Sequence, residues 1–175
     1  MQKLGYHRND ITDVFLTHLH FDHCGGSIQW NKDRTFLEPA FPNAIFWSHK
    51  KHWDWAVNPN PREKASFLKE NILPIEESGQ LKFCNAENPP FKNWEIFEAY
   101  GHTEAQMIPI INVNGNKLAF CADLLPSVAH IPLAWTMSYD VRPLESMKER
   151  AQFLKRAEQE LSLIHISEPT RPLYI

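Results

Sequence analysis

The sequence predicts an α+β domain, and three observations predict it. Ala105 to Val113 and Lys117 to Cys121 are β-rich apolar runs joined by Asn114-Gly115, a hairpin turn of the positive-φ kind. Ile11 to Leu16 is a short apolar run of the sort that makes a buried strand. From Pro143 the chain places Leu144, Met147, Ala151, Leu154 and Ala157 at helical spacing, with Lys, Glu, Arg and Gln opposite, as in an amphipathic helix that covers a sheet. At 175 residues the length suits one domain. With 43% hydrophobic and 22% charged residues it reads as a folded globular chain. A net charge of -3 argues against a nucleic-acid partner, and no apolar stretch is long enough to span a membrane. Cys24, Cys84 and Cys121 are odd in number and dispersed, and the start has no secretory apolar region. Both suggest reduced thiols and a cytoplasmic location.

In chain order, Met1 to Asp10 reads as a helix end with Gly5 as its stop. The strand Ile11–Leu16 then delivers Thr17-His18-Leu19-His20-Phe21-Asp22-His23-Cys24-Gly25-Gly26. Imidazole and carboxylate are zinc ligands, and alternate residues of an extended segment share a face. Burying so many polar groups at one strand end without a shared partner would be costly. The pattern therefore predicts a metal site.

Ser27 to Pro42 reads as a loop with a short helical piece, and Ala44 to Ser48 as the next strand. Lys50 to Val57 is expected to be a short helix ended by Asn58-Pro-Asn-Pro61. Arg62 to Ile72 is expected to be a second helix, with Ala65, Leu68 and Ile72 on one face. Trp53 and Trp55 either wall a substrate pocket or pack the helix pair onto the sheet, and packing is the plainer reading. His49 and His52 lie three apart without an acidic partner at ligand spacing, which places them on the surface. Leu81 to Phe83 is a short strand. Trp94 to Tyr100 is a longer one, whose end delivers Gly101-His102-Thr103, and the hairpin ends in Ala122-Asp123. His130 either lines a pocket mouth or is an exposed loop residue. Tyr139 could polarise a substrate carbonyl, although a structural role is the plainer one.

His18-x-His20-x-Asp22-His23, after a hydrophobic strand and before Gly-Gly, resembles the metallo-β-lactamase superfamily of metal-dependent hydrolases. Gly101-His102-Thr103 and Asp123 extend the resemblance, which runs from Ile11 to Glu160. It implies a four-layer αββα sandwich. It also implies His18, His20 and His102 on one metal, with Asp22, His23 and a bridging Asp123 on another. Two Zn2+ per intact domain are expected, with iron or manganese as alternatives. Such a pair shares a water and lowers its pKa, and the resulting dinuclear zinc-bound hydroxide attacks an ester, lactone or related small-molecule electrophile. Asp22 is the catalytic residue of this reading, orienting the hydroxide. Asp123, in place of a cysteine, resembles the lactonase and glyoxalase II-like branch. A single-iron dioxygenase of the same fold and an inactive fragment are the alternatives. Many relatives read Gly-His-Thr-Pro-Gly, where this chain has Glu104-Ala105-Gln106, so the rigid turn after His102 is expected to be lost.

Both ends depart from the resemblance. Leu161-Ser-Leu-Ile-His-Ile-Ser-Glu-Pro-Thr-Arg171 closely resembles the in-frame translation of a transposase adapter used in sequencing libraries. Residues 161–175 are therefore expected to be a non-native read-through tail, and 1–160 a partial hydrolase domain truncated at both ends. Intact members add a final histidine after the last helix. His165 falls inside the adapter-like stretch and is not counted as that ligand. The second metal is accordingly expected to bind poorly.

Overall fold

The computed structural model describes residues 2–160 and the backbone of 163–165; the remainder of the expected read-through tail lies outside the described residues. The chain divides into two units, Met1–Cys84 and Asn85–Ile175.

The first unit is built on a parallel sheet. In chain order its elements are β1 (Asp13–Phe15), α1 (Phe21–Cys24), β2 (Ile28–Trp30), β3 (Leu37–Pro39), β4 (Ile45–Ser48), α2 (Lys50–Val57), α3 (Lys69–Glu77) and β5 (Leu81–Phe83). The sheet order is β1-β4-β5, with Phe15 beside Trp47 and Trp47 beside Lys82. Parallel neighbours need long crossovers, and α2 and α3 make the one between β4 and β5. Leu16, Leu19, Phe46, Trp53, Phe67, Ile72 and Ile75 form the core.

Two expectations about secondary structure fail in this unit. Ser27 to Pro42 is not only a loop: β2 and β3 pair as an antiparallel ribbon, with Gln29 donating to Glu38 across it at 3.0 Å. Its turn is made by the Asn31 side chain, whose Oδ1 accepts the amides of Thr35 at 2.7 Å and Phe36 at 3.2 Å. The second helix begins at Lys69, not at Arg62. Asn60 Oδ1 accepts the amides of Arg62 at 2.9 Å and Glu63 at 3.1 Å, so residues 61–66 form turns instead. Ala65 is consequently exposed, and Phe67 takes the core position.

The second unit is an antiparallel meander of β6 (Trp94–Ala99), β7 (Gln106–Val113) and β8 (Asn116–Phe120), with helix α4 (Pro143–Glu160). Asn114 at φ 53° and Gly115 at φ 83° make the predicted hairpin turn. The backbone of β9 (Leu163–His165) pairs parallel to β8 and sets His165 beside Phe120. Ala99, Ile108, Ile110, Ala119, Leu125 and Phe153 form this unit's core.

Pro143 opens α4 as expected, but of the expected stripe Ala157 alone is fully buried: the buried residues are Ser146, Glu149, Arg150, Phe153 and Ala157, while Met147, Ala151 and Leu154 are half-buried and Leu144 is 73% exposed. The two charged residues belong there because each satisfies buried backbone groups. Glu149 accepts the amides of Tyr100 at 2.6 Å and Gly101 at 2.9 Å. Arg150 donates to the carbonyls of His130 at 2.9 Å, Trp135 at 2.6 Å and Leu133 at 3.0 Å. Gly101 lies so close to this helix that a Cβ would stand 2.2 Å from the Ser146 nitrogen. Among the described residues no helix is long and apolar enough to cross a membrane.

On the outer surface Lys117 lies 2.9 Å from Glu95 and 3.3 Å from Glu160, and Arg156 also pairs with both acids. Hydrogen bonds from Lys117 and Arg156 hold the carboxyl of Glu95 below its usual range, and the same two partners, Arg156 first, do so for Glu160. A lowered folded-state pKa gives stability that is present above the ordinary carboxyl range and lost as pH falls through the folded value. The melting temperature at low salt should therefore fall less steeply between neutral and acid pH in Glu160→Gln than in the parent.

Candidate functional site

The histidine motif leaves the C-terminal end of β1 and is tied down amide by amide. Leu16 N–H donates to Trp47 O at 3.0 Å, Leu19 N–H to His52 Nε2 at 2.8 Å, and Phe21 N–H to Ser66 O at 2.9 Å. His20 then caps α1, its carbonyl accepting the amides of His23 at 2.9 Å and Cys24 at 3.0 Å. This brings three imidazoles together. The His18 ring centroid is 4.7 Å from that of His20 and 4.0 Å from that of His23. His18 and His20 are buried and offer ring nitrogens within 4.8 Å of each other. Asp22 stands apart from the buried pair. Its side chain is 55% exposed, with Oδ2 3.5 Å from His23 Nε2.

His49 and His52 are not surface residues, contrary to expectation: they are 5% and 1% exposed. His49 caps α2 by accepting the Lys51 amide at 3.1 Å. His52 serves the buried amide of Leu19, a partner 33 residues away that no local spacing reveals. Trp53 lies in the core, in keeping with the packing reading. Trp55 donates from Nε1 to Glu63 Oε2 at 2.7 Å. Glu63 is a buried acid that sequence reasoning missed, with Oε1 3.4 Å from His20 Nε2.

In the second unit His102 follows β6 and Asp123 follows β8; both are buried. His102 Nε2 is 3.2 Å from Asp123 Oδ2, and His102 Nδ1 is 3.0 Å from Asp140 Oδ1. Asp140 is the second residue the sequence did not flag; nothing in its spacing distinguishes it from a loop acid. With Nδ1–H given to Asp140, the Nε2 lone pair faces a carboxylate oxygen. Two electron-rich atoms repel at that distance unless a proton or cation is shared between them. The donor set therefore fits a metal ion. His130 is half-buried, with Nδ1 2.9 Å from Ser127 Oγ. Tyr139 is 59% exposed, and its ring lies edge-on to His102 at 5.9 Å.

The turn after His102 departs from expectation too. Ala105 adopts φ 51°, so the left-handed turn is present without glycine. Glu104 is fixed by Arg142 Nη2 at 2.8 Å. Burial raises the thiols of Cys24 and Cys121 to about 12, Asp22 adding to the effect at Cys24. Both stay protonated at neutral pH and are poor ligands or nucleophiles.

Buried imidazoles and carboxylates gathered at strand ends are the donor set of a metal-binding α+β fold. A family model of the metallo-beta-lactamase superfamily matches residues 1–167, and the chain belongs to that superfamily. Solved structures agree on the fold. A probable metal-dependent hydrolase from Staphylococcus aureus has a TM-score of 0.82 at 24% identity, over 94% of this chain and 57% of that one. AidC, a dizinc quorum-quenching lactonase in complex with a product, an acyl-L-homoserine, has a TM-score of 0.73 at 28% identity, over 93% and 59%. The hydrolase AbOPH of the beta lactamase superfamily has a TM-score of 0.75 at 20% identity, over 93% and 58%. The chain thus spans between 57% and 59% of these structures' length. No curated protein matches it.

Two substitutions test this geometry. His52→Ala leaves the Leu19 amide buried without an acceptor and should destabilise the protein by about 1–3 kcal/mol, read by denaturant unfolding. Ala105→Gly relieves the left-handed backbone and should raise stability by about 1 kcal/mol. Unchanged or lower stability would show that the turn is not strained.

Proposed function

We propose that this chain carries the metal centre of a hydrolase acting on an ester, lactone or related small electrophile. In this reading His18, His20 and His102 hold one zinc ion, and Asp22, His23 and a bridging Asp123 hold a second. The observation that carries it is the packing of His18, His20 and His23 at one strand end, an arrangement whose cost a shared cation offsets. Membership of the superfamily supports the reaction class. The lactonase of 28% identity, described as dizinc, supports both the metal and the lactone.

When bound, such cations acidify a water towards neutrality and polarise a carbonyl oxygen. The chain's own residues do the rest. The tethered backbone from Leu16 to Phe21 holds His18 and His20 in fixed directions. In this reading Asp22, the more exposed acid beside His23, accepts a proton and orients the attacking water. The buried Asp123 carboxylate has two oxygens and can serve both cations.

Zinc titration of the chain, followed by assays with lactone and ester substrates, tests the proposal. His20→Ala should lower zinc stoichiometry and abolish hydrolysis while the circular dichroism spectrum is kept. Zinc binding or turnover unaffected by the substitution would refute the ligand assignment. Oxygen consumption in place of hydrolysis would refute the reaction class.

A further inference from the structure

We infer that the exposed hairpin turn between β7 and β8 is a site of spontaneous covalent modification. Asn114 is deamidated there, and the side chain of Asn112 sets the rate. The inference is independent of the proposed metal centre, because the residues it uses lie at the turn and beside it.

The chemistry needs a backbone nitrogen that can reach the preceding side chain. The Gly115 nitrogen gives up its proton to hydroxide and attacks Asn114 Cγ. The new N–Cγ bond closes a five-membered cyclic imide. The Cγ–Nδ2 bond breaks, and Nδ2 takes up a proton and leaves as ammonia. Water then opens the ring. Attack at Cγ gives aspartate, and attack at the main-chain carbonyl gives isoaspartate.

A side chain on the following residue shields that nitrogen, proline offers no N–H, and glycine does neither. Asn58, Asn60 and Asn88 precede proline, and Asn114 alone among the asparagines precedes glycine. The fold adds access. Residues 112–116 are exposed, and nothing lies within 4 Å of the place a Gly115 Cβ would take.

The hydrogen bonds of the turn oppose the reaction. Gly115 N–H donates to Asn112 Oδ1 at 3.1 Å, so the proton that must leave is held by an acceptor. Asn112 is itself fixed. Its N–H donates to Asn93 O at 2.9 Å, and its carbonyl accepts from Asn93 Nδ2 at 3.1 Å. The pairing of Val113 with Asn116 closes the turn, with Asn114 at φ 53° and Gly115 at φ 83°. For attack, the Gly115 nitrogen has to leave Asn112 Oδ1 and approach Asn114 Cγ, so this end of the hairpin opens first. The folded turn is therefore a slow substrate, and Asn112 keeps it slow. Isoaspartate carries the main chain through one extra carbon. That product no longer fits the tight connection between Val113 and Asn116.

Ageing the full chain at mildly alkaline pH tests this, read by peptide mass spectrometry with chromatographic separation of aspartate from isoaspartate. Asn114 should convert ahead of every other asparagine and give both products. The folded parent should convert more slowly than the same chain unfolded in urea. Asn112→Ala should raise the folded-state rate about 2–10-fold, the factor that one hydrogen bond is worth, while Asn112→Asp, which keeps the acceptor, should stay near the parent. Asn114 left intact while other asparagines convert overturns the site. Aspartate without isoaspartate overturns the cyclic imide route. A folded parent that converts as fast as the chain in urea overturns the role of Asn112, even if Asn112→Ala does not fold. Equal rates in the folded parent and folded Asn112→Ala overturn it as well.

Discussion

The first unit depends on how the backbone between Leu16 and Phe21 is held. That stretch leaves the sheet after Leu16, so the amides beyond it lose strand partners and must find acceptors elsewhere. Leu16 finds the next strand, Phe21 finds a turn carbonyl, and Leu19, which is 0% exposed, finds only an imidazole. This need accounts for a histidine inside a hydrophobic core next to Trp53. It also accounts for the metal motif's directionality. Once the three amides are fixed, the alternation of an extended chain leaves His18 and His20 no freedom to turn away.

The second unit solves a similar problem with charge. The end of β6 brings Tyr100 and Gly101 amides into the interior, and one Glu149 carboxylate accepts both. Burial raises the pKa of that acid, and the two amide hydrogen bonds oppose the shift by favouring the anion. The next residue along the helix, Arg150, gathers three carbonyls of the loop that follows Asp123. Polar residues on the inner face of α4 thus shape the loops that carry His102 and Asp123, and the apolar core beneath them supplies the rigidity.

These long-range needs separate what was legible in the sequence from what was not. The Asn114-Gly115 hairpin, the α2 boundaries and the start of α4 rest on signals within a few residues, and all read correctly. The ribbon of β2 and β3 did not, because its register is set by one Asn31 side chain and its faces are only half-buried. The inner face of α4 was misjudged because Glu149 and Arg150 look like solvent residues until the backbone groups they satisfy are known. His52, Glu63 and Asp140 each serve a partner more than thirty residues away. The proposed ligands could be named from spacing, whereas the residues that aim them could not.

Backbone strain completes the picture in the second unit. Ala105 at φ 51° and Ala122 at φ 43° are both fully buried and both left-handed, a conformation that costs an alanine about 1–2 kcal/mol. One lies in the turn immediately before β7, and the other immediately precedes Asp123. Such conformations persist only where the surroundings over-determine them. The surroundings here are specific: Arg142 bonds both Glu104 and the Tyr100 carbonyl on one side, and the Leu124 amide closes on Cys121 on the other. The chain therefore keeps two sharp turns without glycine because the packing around each leaves no relaxed alternative, and those turns set the directions in which His102 and Asp123 point.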